Sequence, residues 1–101
     1  PCLAPPASPN IGKYGRMRWR YLKEHRRAIY SQLVLSDKLA GHLEEIDQSA
    51  NEMMERLIKD MAERQGVTER LKAENQLRWV GMMNNIRSAA EEMVLNDLIY
   101  A

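Results

Sequence analysis

Between Lys13 and Arg27 stand seven cations, Lys13, Arg16, Arg18, Arg20, Lys23, Arg26 and Arg27, against one acid, Glu24, for a local charge of +6. Tyr14, Trp19, Tyr21 and Tyr30 are interleaved with them. Guanidinium forks beside ring faces suit contact with phosphate, supported by stacking or cation–π attraction. Lys13, Arg16, Arg18, Trp19, Arg20, Lys23, Arg26 and Arg27 are therefore the candidate surface for nucleic acid or an acidic partner. A basic amphipathic helix equally fits an acidic protein surface or an anionic membrane face. The rest of the chain, from Ala28 onward, carries eight bases and thirteen acids, a charge of −5. Glu44, Glu45, Asp47, Glu52, Glu55 and Asp60 form a second candidate face, whose carboxylates could imitate a phosphate backbone and occupy a partner's basic channel. The same asymmetry also suits docking of the two parts against each other within one molecule.

Catalytic patterns are sparse. Cys2, the single cysteine, lies among prolines rather than beside a base in a shaped pocket, so a nucleophilic role is not expected. His42 and Glu45 stand three apart, but a carboxylate-bridged metal site wants Glu-x-x-His in that order, twice, with two further glutamates. The simpler reading is a solvated helix face holding His42, Glu44 and Glu45. Glu91 and Glu92, as adjacent residues on a helix, point about 100° apart and are expected to face water. Gly12 and Gly15 lack the spacing and the preceding strand of a phosphate loop. The sequence thus predicts a non-enzymatic protein with no metal and no cofactor.

These residues must be positioned by helices. The chain has 101 residues, 45% hydrophobic and 29% charged, with no Phe and seven Met, enough for one small domain. No apolar run approaches the roughly 18 residues that cross a bilayer, so a membrane span is excluded, and a membrane is not among the partners expected. A lone cysteine excludes an internal disulfide and agrees with a reducing, cytoplasmic setting. Residues 1–12 contain all four prolines and read as a flexible tail. Residues 13–35 read as a basic helical segment. Met17, Tyr21, Leu22, Ala28 and Ile29 lie to one side, while Lys13, Arg16, Arg20, Lys23 and Arg27 fall within about 80° of one another on the other. A break near His25 to Arg27 is compatible with this pattern. Ser36 and Asp37 then offer an N-cap and a first-turn acid.

Leu39, Leu43, Ile46, Ala50, Met53, Leu57 and Met61 recur at intervals of three and four, which predicts one long helix over 37–65. Gly66 suits its left-handed end, and Thr68 caps a second long helix over 68–96. That second helix carries Leu71, Trp79, Met82, Met83, Ile86, Ala90, Met93 and Val94. So short a connection makes the two antiparallel, a hairpin about 40 Å long. The expected fold is all-α: this hairpin plus the basic segment in a three- to four-helix bundle. A second copy of the chain, in a homodimer, is an alternative way to cover both stripes. Methionines at stripe positions read as fillers of irregular core gaps.

Several stretches together resemble one family: IGKYGRMR at 11–18, RYLKEHR at 20–26, SDKL at 36–39, HLEEID at 42–47, GVTERLKAENQLRWV at 66–80, MNNIRSAAEEMV at 83–94 and LIY at 98–100. They are similar to the transposon-encoded protein TnpV family of bacterial mobile elements, over about nine-tenths of the chain. Family members carry a longer segment before the IGKYG stretch, where this chain has residues 1–10. The resemblance implies carriage on a mobile element and defines no set of functional residues. It raises the expectation of contact with nucleic acid or a nucleoprotein complex. It also raises a rival, since mobile elements carry small proteins that block host defence, so a CRISPR-type nuclease is the partner expected for an inhibitor of anti-CRISPR type.

Overall fold

Helix ends in this chain are set by a few residues with special backbone or capping chemistry. A computed structural model describes residues 11–101 as α1 (Lys13–His25), α2 (Arg27–Leu35), α3 (Leu39–Gln65), α4 (Glu69–Glu74) and α5 (Gln76–Val94), followed by a π-helical turn (Leu95–Ile99). No strand occurs among the described residues. The tail expected over residues 1–12 and the lone Cys2 lie outside them, apart from Ile11 and Gly12, which belong to the fold.

The basic segment is broken at Arg26, where φ is −135° and ψ is 56°. Ser36 and Asp37 do not start α3, as their types suggested; they close α2. Asp37 takes the left-handed conformation at φ 59°. Its N–H donates to the Val34 carbonyl, and that of Lys38 reaches back to Leu33, the Schellman pattern of a helix end. The long helix therefore begins at Leu39 rather than residue 37. Gly66, at φ 70°, closes α3 in the same way: its N–H donates to Glu63 and that of Val67 to Ala62, with Val67 buried beneath the turn.

The helix expected over 68–96 is divided. Thr68 does cap a start, accepting from the Leu71 N–H at 3.2 Å, but that helix ends at Glu74. Asn75 leaves the helical region, at φ −149° and ψ 85°, and its side chain accepts from the Arg78 N–H at 3.2 Å, so it caps α5. A short amide offering its own bond to the main chain outcompetes helix continuation here.

The core forms where α1 and the end of α5 meet the first half of α3. Tyr14, Ala50, Val94 and Ile99 are its buried centre, with Met17, Ile46, Met53, Met54, Leu57, Leu95 and Leu98 packed around it. Leu22, Leu43, Ile86 and Ala90 are also fully buried. Because Val94, at the far end of α5, shares a cluster with Ala50 in α3, α5 runs back along α3 as an antiparallel partner. Ala50 and Ala90 have no exposed surface, and small side chains at such crossings allow close helix approach. The result is an all-α bundle, long and thin at 55 × 23 × 17 Å. No residue of α2 is buried, and Leu35 and Leu77 remain almost fully exposed. The third layer over the hairpin is therefore supplied by α1, not by the whole basic segment. No described helix is long and apolar enough to cross a membrane.

Candidate nucleic-acid interface

The start of α1 is seated on α3 by two glycines and an aspartate. The Gly15 N–H donates to Asp47 Oδ1 at 3.0 Å, so a carboxylate from α3 caps the first turn of α1 across the interface. Asn51 Nδ2 donates to the Asp47 carbonyl at 2.9 Å and to its Oδ2 at 3.4 Å. A Cβ on Gly15 would stand 2.1 Å from Ile11 Cγ2 and 3.2 Å from the Leu43 carbonyl oxygen. One on Gly12 would stand 3.1 Å from Asp47 Oδ2. The IGKYG stretch is thus a docking motif: its glycines let α1 approach α3 closely enough to be capped. Asp47 is buried, which corrects its assignment to an acidic partner face. That face is left to Glu44, Glu45, Glu52, Glu55 and Asp60, all exposed.

Lys13 and Tyr14 tie the same helix end to α5. Lys13 Nζ and the Tyr14 hydroxyl both donate to Glu91 Oε2, at 2.7 and 3.0 Å. Lys13 therefore stands at the edge of the cationic face already paired, and Glu91 does not simply face water. The Lys13 bond, helped by Tyr14 and opposed by burial, holds the Glu91 carboxyl below its usual range. Burial, then the Glu91 bond, pushes the Tyr14 hydroxyl up to about 12. A spectrophotometric titration should show one tyrosine ionising late, near 12, and Glu91→Gln should bring that late step down. The Glu91 contribution to stability is present above the unfolded carboxyl value and is lost as pH falls through the lower folded value, so Glu91→Gln should lose most stability near neutrality and least in acid.

Arg18 is the largest departure from the sequence reading. It is buried, not part of an outward patch. Its Nη1 donates to the Ile99 carbonyl at 3.0 Å and to the Ala101 main-chain oxygen at 2.8 Å, and its Nε approaches His42 Nε2 at 3.3 Å. Burial lowers its pKa and, with the neighbouring guanidinium, that of His42. His42 is thus a half-buried acceptor, not a member of a solvated face. Arg18 clamps the π-helical turn, whose defining bond runs from the Tyr100 N–H to the Leu95 carbonyl at 2.8 Å.

With α1 held at its first turn and at Arg18, its other cations point outward. Arg16, Arg20 and Lys23 are exposed at successive turns, and Arg26 and Arg27 are exposed at the break into α2. None of these five forms an ion pair among the described residues. Trp19 is half-buried, with Lys23 Nζ 5.6 Å from its ring centroid, and its indole N–H is buried without a partner among the described residues. Beside the row lies an open groove of about 630 Å³. Lys13, Arg16, Met17, Arg20 and Glu24 line it, and Tyr21, His25 and Tyr100 supply aromatic surface.

No group of three metal-ligating His, Cys, Asp or Glu side chains occurs among the described residues. The family model for transposon-encoded protein TnpV matches residues 1–99, and the chain belongs to that family, which makes it a transposon-associated protein. No curated protein matches the chain, and no solved structure does. Sequence reasoning passed over Asp47, Glu91, His42 and Tyr100 as parts of the framework around α1. For Asp47 a signal existed: at 100° per residue it falls inside the apolar stripe, about 40° from Leu43.

Proposed function

We propose that the chain is a non-enzymatic accessory protein of its mobile element, acting in the cytoplasm by binding nucleic acid, alone or within a nucleoprotein complex, through Arg16, Arg20, Lys23, Arg26 and Arg27. The observation that carries this reading is the division of the basic segment. Lys13 and Arg18 are taken up by Glu91 and by the end of the chain, whereas the other five cations are exposed and unpaired among the described residues. Internal neutralisation by a carboxylate, which would explain the +6 segment without any partner, is used among the described residues for only one of its members, Lys13, while Arg18 is spent on main-chain oxygens. Arg16 to Lys23 span about 10 Å along a rigid helix. Cations so arranged release counterions when they meet a phosphate backbone. The test is binding of labelled DNA and RNA oligonucleotides over a range of salt. A steep loss of affinity with salt is expected, and no salt-sensitive binding at low ionic strength would contradict the reading.

A second reading rests on α3, where Glu44, Glu45, Glu52 and Glu55 are exposed on neighbouring turns. They would suit an inhibitor that enters the basic channel of a CRISPR-type nuclease. Arg56 and Lys59 stand among them and weaken the field, which favours the first reading. Under the second, Glu52→Lys with Glu55→Lys slows association with the nuclease, and an unchanged rate contradicts it.

A further inference from the structure

We propose that the groove between α1 and the end of the chain takes an unpaired base of a single strand, with the adjoining phosphate on Arg16 and Arg20. This rests on the nucleic-acid reading and narrows it to single-stranded substrates. The groove, at about 630 Å³, lies within the range of about 300–1,000 Å³ that holds small organic ligands. Its chemistry is divided around α1, with Arg16 and Arg20 on one strip of the helix and Tyr21 and His25 on the next. Arg16 and Arg20 lie one helical turn apart on the same wall, and Arg16 spends only Nη1 on the Ile11 carbonyl. The aromatic strip is a run of three rings: Tyr21 lies 5.2 Å from Tyr100 at 53° and 5.3 Å from His25 at 35°. Tyr100 keeps 44% of its surface exposed, which leaves ring surface open to a base. Glu24, the one carboxylate of the lining, lies one turn beyond Arg20, repels phosphate there and can accept from a base N–H.

Arg18 holds this surface in place. By bonding the main-chain oxygens on either side of Tyr100, at Ile99 and Ala101, it fixes the backbone that carries the ring. Its guanidinium carbon also lies 5.8 Å from the Tyr21 centroid. Arg18 is therefore a positioning residue for the aromatic wall. Bases in a duplex are stacked on each other and offer no face to such a wall, so a duplex can use the cations alone. A single strand can use both.

The experiment compares the full chain binding oligothymidylate with its binding to a duplex of equal length, across a salt series, by anisotropy and by quenching of tyrosine emission. Single-strand affinity should exceed duplex affinity about tenfold. Tyr100→Leu should remove most of that preference while leaving the salt slope intact, and Tyr100→Phe, which keeps the ring, should retain it. Circular dichroism checks that each variant is folded. Equal or tighter duplex binding, or a preference that survives Tyr100→Leu, overturns the stacking inference while the nucleic-acid reading stands. Absence of salt-dependent binding to either oligonucleotide overturns both.

Discussion

Replacing Arg18 with methionine should destabilise the fold by about 2–4 kcal/mol, the order expected when hydrogen bonds to a buried charged group are removed and their acceptors left unpaired. Methionine matches the length and apolar character of the arginine stem, so little packing is lost. What goes is the guanidinium that satisfies the Ile99 and Ala101 oxygens and approaches His42. Ile99 is fully buried, and water does not readily replace the lost donor there. The loss stays below a simple sum of three bonds because burying the guanidinium is itself costly, as its lowered pKa indicates. Arg18→Lys should rescue little, since a single ammonium cannot reproduce the planar fork. Urea unfolding measures the effect. Arg16→Met, at an exposed position, serves as the control and should leave the midpoint in place. Equal effects at the two positions would remove the distinction between framework and surface cations.

The second large effect is on binding. Changing Arg16, Arg20, Lys23 and Arg27 together to glutamine should reduce the slope of log affinity against log salt by about 3 units, near 0.7–0.9 for each phosphate that is no longer neutralised. At low ionic strength the affinity itself should fall about a hundredfold or more. The fold should be untouched, because these side chains are exposed and none is ion-paired among the described residues. Stability and binding thus respond to different members of one basic segment.

How much of this was legible in the chain itself depends on whether a residue's role is local or distant. Leu43, Ala50, Ile86, Ala90 and Val94 lie on stripes of helical period, and all five are buried. Gly66 and Thr68 end and start helices through their own backbone and side chain, as their types indicated. Asn75 and Asp37 act just as locally, but each also fits the interior or the start of a helix, so type alone did not decide. The candidate site divides similarly. On a helical wheel Arg18 falls about 140° from Lys13, between Tyr14 and Leu22, so its separation from the cationic row was available in the spacing. What no spacing could supply was its partners: Ile99 and Ala101 are some eighty positions away and meet Arg18 only through the turn after α5. Glu91 was hidden for the same reason, since Lys13 and Tyr14 reach it from another helix.

The salt dependence of oligonucleotide binding, measured for the native chain and for the chain with Arg16, Arg20, Lys23 and Arg27 changed to glutamine, tests the outward row most directly. A steep native slope that flattens by about 3 units, with the unfolding midpoint unchanged, is the predicted result. Two superimposable salt profiles would show that these side chains meet no phosphate.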